Sequence, residues 1–301
     1  MSEILVVGSL AYDSISTPKG TKEKCLGGSA NYFSVVASRY TKINIVGVVG
    51  EDYDESSIEM LRSRGVDVSG IEKKKGSTFH WEGKYKDDMN EAQTLATHLN
   101  VFETFDPKVP EKFKSSSVVF LANIDPKLQL KVLEQASAPK IVAVDTMNFW
   151  IETKLDDLKK VLAKANIIFV NNTEALMLTR KPNVMAAAKA LSEMGPQVIV
   201  VKRGEYGSVV YFQNQFFVLP AYPLLDITDP TGAGDTFAAG FMGYIAKNNL
   251  ELTWPNLRRA CVEGSLVASY TVEDFGLNRV LKLNDQDIKT RFESFLKVVQ
   301  I

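Results

Sequence analysis

Asp229-Pro230-Thr231-Gly232-Ala233-Gly234-Asp235-Thr236-Phe237 is the stretch on which the reading of this 301-residue chain turns. Extended residues lead into Pro230, and beyond it apolar residues fall at helical spacing over Ala233–Ala246. Glycines at 232 and 234 permit main-chain conformations and close approaches that a Cβ would obstruct. The free N–H groups of a helix start, with the positive end of the helix dipole behind them, then make a cradle for an anion such as a transferring phosphoryl group. Asp235, in the first turn, is placed to accept a proton from a hydroxyl brought against that anion. A bare Gly-x-Gly-Asp also has a plainer reading, a turn followed by an acidic helix start, so the rest of the chain has to decide between them.

Working outward, short runs rich in Val and Ile alternate with longer segments of helical period, the pattern of a parallel sheet with crossover helices. The runs are Ile4–Val7, Ile43–Val49, Val118–Ala122, Ile141–Val144, Ile167–Val170 and Val198–Val201. They are apolar enough to be covered on both faces. Helices are predicted over Ala30–Arg39, Lys127–Ala136, Asp156–Ala165 and Ala186–Met194, and after the decisive stretch over Asn256–Val272 and Asp285–Val298. Two places break the rhythm. Thr78–Tyr85 followed by Thr94–Phe102 alternates like a pair of strands with no crossover helix between them, and Ser208–Phe212 with Phe216–Leu219 flanks a turn as a hairpin does. The fold class is α/β, one domain over residues 1–301, with a small β lid expected from residues around 14–24 and 72–104.

Composition narrows the function. With 35 basic and 36 acidic residues the net charge is -1, which leaves no basic footprint for nucleic acid or a membrane surface. His80 and His98 are the only histidines, too few for histidine-rich metal sites or Ser-His-Asp chemistry. Cys25 and Cys261 lie far apart and form no CxxC pair, which fits a reducing, cytoplasmic setting. No run approaches the roughly 20 apolar residues of a membrane span. The phosphate-binding pattern GxxxxGK[ST] is absent, and Val7-Gly8-Ser9-Leu10 lacks the later glycines of a dinucleotide fingerprint.

Taken whole, the nine-residue stretch resembles the signature of the ribokinase-like (PfkB) family of sugar and nucleoside kinases, and other elements follow in that family's order along nearly the whole chain. The resemblance implies a three-layer α/β/α sandwich with a β-sheet lid. It also implies ATP and Mg²⁺ as co-substrate and metal, Asp235 as general base, and Gly232, Ala233 and Gly234 as anion hole. Asp13, Gly27 and Gly28 match acceptor-binding positions of the family. The family's asparagine, however, falls at Tyr32, and the chain's own Asn31 stands one residue earlier; it is assigned to the acceptor or to the first turn of a helix. Asn171-Asn172-Thr173-Glu174 matches an NxxE element that positions Mg²⁺ through water, and the same spacing is a capping box. Lys202, Gly204 and Thr231 match nucleotide-side positions, and Asp145-Thr146-Met147-Asn148 matches another strand end in part. Asp229 stands where potassium-activated members supply a ligand, or it shapes the turn before Pro230.

Alternation along Thr78–Tyr85 puts Phe79, Trp81 and Tyr85 on one face of a strand. Aromatic faces stack on a nucleobase better than on a bare polyol, so Trp81 is assigned to a nucleoside acceptor, with a homodimer packed through the lid as the competing use of the stripe. Two other readings of the whole chain are a catalytically idle sugar- or nucleotide-binding regulator and a vitamin kinase of the same superfamily. An intact Asp235 speaks against the first, and the double glycine and long lid segment against the second.

Overall fold

The computed structural model describes residues 2–300. In chain order the strands are β1 (Glu3–Val7), β2 (Ala11–Thr17), β3 (Gly20–Gly27), β4 (Lys42–Val49), β5 (Val66–Lys73), β6 (Phe79–Tyr85) and β7 (Ala92–His98). They continue with β8 (Val118–Leu121), β9 (Ile141–Asp145), β10 (Ile167–Asn171), β11 (Val198–Lys202), β12 (Ser208–Phe212) and β13 (Gln215–Leu219). Nine of them form one sheet in the order β13-β12-β11-β10-β9-β8-β1-β4-β5, and the other four form a smaller sheet in the order β3-β2-β6-β7.

The large sheet is parallel from β11 to β5 and antiparallel only where β12 and β13 fold back as a hairpin. Its strands are apolar on both faces because helices cover both. In β1, Ile4 and Val6 enter one core while Leu5 and Val7 enter the other, the period-2 division a pleated strand imposes. Crossover helices return each parallel strand to the same starting edge, so the polar residues that follow β1, β9, β10 and β11 gather at the carboxyl ends. That is where open α/β sheets bind ligands.

Most predicted elements appear within a residue or two. The hairpin turn is Gln213-Asn214, both at positive φ (49° and 58°), as a two-residue turn between twisted strands requires. Three features differ from expectation. The strand expected over Thr94–Phe102 is β7, which ends at His98, and Asn100–Thr104 is a 3₁₀ turn entered through Asn100 at φ 51°. β5 and the helix Glu55–Ser63 had no signal; β5 is an edge strand, Val-Asp-Val-Ser-Gly-Ile-Glu-Lys, with one buried residue, Val66, and polar residues in between. The smaller sheet extends beyond residues 14–24, since β2 begins at Ala11 and β3 runs to Gly27, and falls short of 72–104, since β6 begins at Phe79, β7 ends at His98 and residues 72–73 belong to β5 of the large sheet.

Candidate active site

The helix Ala233–Lys247 begins at Gly232, whose φ of 76° no side-chain-bearing residue adopts cheaply. A Cβ there would also lie 2.3 Å from the ring of Tyr32. The turn before it is held by Asp229, fully buried, which accepts the Thr231 N–H at 2.9 Å and the Gly276 N–H at 2.9 Å. The Ala233 N–H donates to the Pro230 carbonyl at 3.1 Å, whereas among the described residues those of Gly232, Gly234 and Asp235 meet no acceptor. Open donors of the cradle are therefore Gly232, Gly234 and Asp235, and Ala233 contributes shape.

Asp235 is half-buried. Loss of water, reinforced by Asp145 and opposed by Lys202, lifts its carboxyl to about 7, the range in which a carboxylate works best as a base near neutrality. Lys202, the last residue of β11, places Nζ 2.9 Å from Asp145 Oδ2 at the end of β9. The same nitrogen lies 2.9 Å from where a Cβ on Gly234 would stand, so an ammonium abuts the cradle. Burial works against that charge, but Asp145, Glu174 and Asp235 outweigh it and raise the Lys202 pKa. Glu174 is buried and lifted to about 7, first by loss of water, with Lys202 opposing and Asp145 adding to the shift. It closes a capping box with Asn171: Glu174 N–H to Asn171 Oδ1 at 2.8 Å, and Asn171 N–H to Glu174 Oε2 at 2.6 Å.

Facing this group from the smaller sheet is Asp13 in β2, only 5% exposed. Its carboxyl is pushed up to about 8 by burial and then by Asp229 and Asp235, against a hydrogen bond from the Gly28 N–H. The double glycine has a steric reason here. A Cβ on Gly27 would overlap the Asp13 carboxylate, and one on Gly28, at φ 92°, would strike the Ser9 carbonyl. β2 and β6 run parallel with Ala11 beside Phe79 and Asp13 beside Trp81, so the aromatic stripe shares the Asp13 face. Its members are used differently. Phe79 stacks on Phe102. Trp81 lies over Gly83 and donates from Nε1 to Thr94 Oγ1 at 3.2 Å. Tyr85 accepts from Thr231 Oγ1 at 3.2 Å, tying the smaller sheet to the cradle turn.

A scan of family descriptions matches residues 1–282 to the pfkB family of carbohydrate kinases. The chain belongs to the PfkB family. Among relatives of this PfkB protein, a cytidine kinase of Thermococcus kodakarensis is 31% identical over 259 residues, 83% of this chain and 91% of its own length. A nucleoside kinase of Methanothermobacter thermautotrophicus is 29% identical over 294 residues, 91% of this chain and 90% of its own. The crystal structure of an aminoimidazole riboside kinase of Salmonella enterica, bound to its riboside and an ATP analog, shares the fold with a TM-score of 0.74 at 17% identity, covering 97% of this chain and 100% of that one. The PfkB protein is thus a sugar or nucleoside kinase with the ribokinase-like α/β architecture, and no helix among the described residues is long and apolar enough to cross a membrane.

The fold brings Asp13, Gly27, Gly28, Asp229, Thr231, Gly232 and Gly234 together on one side and Asp145, Glu174 and Lys202 on the other, with Asp235 between them. Gly204, at φ 56°, starts the loop after β11, where a Cβ would lie 3.2 Å from Asn90 Oδ1 at the tip of the β6–β7 hairpin. Asn31 is spent: fully buried, its amide donates to the Gly27 carbonyl at 2.6 Å and to the Tyr53 hydroxyl at 3.0 Å. It supports Gly27 from behind. Sequence reasoning left Tyr32 and Tyr85 without roles at the cradle; the one available signal was a tyrosine where the family pattern has asparagine.

Proposed function

We propose that the protein transfers the γ-phosphoryl group of ATP to a hydroxyl of a nucleoside, with Asp235 as general base and the main chain of Gly232–Gly234, opened toward the ligand by Gly232, as anion hole. One observation carries the reading: a carboxyl raised to about 7 lies in the first turn of a helix whose leading N–H groups are open and are flanked by the Lys202 ammonium. Positioning and electrostatic stabilisation supply most of the catalysis in phosphoryl transfer. Asp13 takes acceptor hydroxyls, and Asp235 removes the proton of the attacking one. Gly232 and Gly234 donate to the phosphoryl oxygens, and Lys202 offsets their growing charge. Thr231, Gly204 and Asn171 border the nucleotide.

Mg²⁺ fits the residues present. Asp145, Glu174 and Asp235 crowd one ammonium, and loss of water, with Asp145 adding to it, keeps Glu174 and Asp235 near 7. No group of three His, Cys, Asp or Glu side chains among the described residues forms a cage, as suits a metal held mainly by nucleotide phosphates and water. When bound, the ion neutralises phosphate charge; Glu174, through water, and Asn171 would hold it. Asp229 is accounted for by its two main-chain donors, the N–H groups of Thr231 and Gly276, which favours the turn-shaping role over that of a monovalent-cation ligand.

The nucleoside reading draws on relatives named for cytidine and nucleosides and on Trp81 beside Asp13. Those names give no support to an idle regulator or a vitamin kinase. A homodimer through the smaller sheet, whose edge strands β3 and β7 are largely exposed, belongs to the same proposal, and light scattering measures it. The acceptor is tested by kcat/KM for cytidine and other nucleosides against ribose and fructose, in wild type and Trp81→Ala. A nucleoside preference that collapses in the variant supports stacking. Good turnover of a free hexose, unchanged in Trp81→Ala, ends the nucleoside reading.

A further inference from the structure

Half-buried arginines in this chain are paired, with one exception. Arg39, Arg64, Arg259, Arg279 and Arg291 each donate to a carboxylate or a main-chain carbonyl. Arg203 is buried to a similar degree, yet among the described residues its guanidinium forms no ion pair and no hydrogen bond. Its Nε is shut away from water without a partner, whereas the two terminal nitrogens remain within reach of solvent. A charge taken partly out of water with nothing to offset it is costly, and an unpaired polar group in a native structure calls for an explanation.

Its place in the fold supplies one. Arg203 follows Lys202 at the carboxyl end of β11, and its N–H donates to the Gly207 carbonyl at 2.8 Å, closing the loop Gly204–Tyr206. The guanidinium carbon lies 5.9 Å from the centre of the Tyr206 ring. Glu205, the one acid in that loop, turns away to Asn90 Nδ2 at 3.4 Å. Two cations therefore stand side by side at this strand end, and they differ in one respect. Lys202 is offset within the protein by Asp145 at 2.9 Å, with its Nζ against the cradle at Gly234. Arg203, one residue farther out along the loop, keeps its whole charge for something outside the chain. The planar fork of a guanidinium matches phosphate oxygens two at a time.

We propose that the Arg203 side chain binds the nucleotide's β-phosphate, the one next to the phosphoryl group that is transferred, through its two terminal nitrogens. The assignment rests on the kinase reading above and deepens it by giving the two cations of one strand end separate tasks. Lys202, at the cradle, serves the phosphoryl group that moves. Arg203 holds the phosphate that stays, in ATP before transfer and in ADP after it. An interaction present both before and after the chemical step is uniform binding, which sets KM rather than kcat. Arg203 is on this account a specificity residue: it favours nucleotides with two or more phosphates over monophosphates and adds to the affinity of the product ADP.

The experiment titrates ADP and AMP calorimetrically, with Mg²⁺ present, into wild type, Arg203→Gln and Arg203→Lys. Thermal melts of the ligand-free proteins and KM values for ATP and for the acceptor that wild type turns over accompany it. Arg203→Gln is expected to weaken ADP binding roughly tenfold or more, the effect of losing hydrogen bonds from a charged group. AMP affinity and the acceptor KM should stay as in wild type, while the KM for ATP rises with ADP. Arg203→Lys should restore only part of the loss, because an ammonium cannot reproduce the fork. The ligand-free Arg203→Gln protein should melt no lower than wild type, since the charge it removes has no partner to lose. Wild type that binds neither ADP nor AMP would overturn the nucleotide reading and this assignment with it. Wild type that binds ADP, beside an Arg203→Gln that binds it as tightly or loses ADP and AMP equally, overturns the assignment alone and leaves Arg203 as a support for its loop.

Discussion

At the scale of single residues, the site is a set of carboxyls kept from water. Burial lifts Asp13 to about 8 and Asp235 to about 7, well above the value of about 3.9 for a free aspartate. Between about pH 4 and 8 the folded chain holds protons that the unfolded chain has released. Stability from these groups is therefore fully present at the acid end and is lost as pH rises through the folded values. Melting temperatures of the ligand-free protein should fall from pH 6 to pH 9. Asp13→Asn should flatten that slope and melt higher than wild type at pH 9, while losing acceptor affinity. A variant as pH-sensitive as wild type would show that Asp13 does not carry the buried proton. Turnover runs the opposite way: a base has to be deprotonated, so kcat should decline as pH drops below about 7.

Among elements, the starts of helices hold the residues proposed to carry the chemistry and also those whose roles the sequence left open. Asn171 and Glu174 cap their helix reciprocally, yet Glu174 also reaches the Lys202–Asp145 pair. Both roles predict an effect of Glu174→Ala, and they separate cleanly. Loss of the cap costs about 1 kcal/mol of stability. Loss of metal positioning raises the Mg²⁺ concentration needed for half-maximal rate. We expect both; a lower melting temperature with an unchanged Mg²⁺ requirement would leave the cap alone. Legibility in the sequence followed burial. β1, β4 and β8 to β11 could be read because both faces are covered and the residues are uniformly apolar. β5 could not, because an edge strand with a single buried residue and polar residues in between looks like a loop. The end of β7 was misjudged because alternation continues through Leu99–Phe102 while Asn100 turns the chain at positive φ. The cradle could be read only from the whole nine-residue stretch, since two glycines and an aspartate alone also describe a turn before an acidic helix start, and of the two glycines only Gly232 has a positive φ. Tyr32 and Tyr85 could not, because their importance depends on which loop each meets across the fold.

For the whole molecule, the smaller sheet meets the large one at both ends of the reaction path. Tyr85 reaches Thr231 at the cradle, and the tip of the β6–β7 hairpin reaches the nucleotide-side loops through Asn90 Nδ2 to Glu205 Oε1 at 3.4 Å and Thr173 Oγ1 to Glu91 Oε1 at 3.1 Å. Residues distant in sequence thereby enclose Asp235 between Asp13 and Lys202 and screen it from water, which sets its pKa and would keep water from competing with the acceptor. Under the proposed function, local donors and one ammonium, not a basic surface, would meet the phosphates of the co-substrate, which suits a chain with a net charge of -1. The most direct measurement is ADP release from ATP and Mg²⁺ with saturating cytidine, for wild type and Asp235→Asn, with circular dichroism to show that both are folded. Wild type should show cytidine-dependent turnover, and the folded variant a loss of roughly 10²–10⁴-fold in kcat; near wild-type turnover by folded Asp235→Asn would rule out Asp235 as the base.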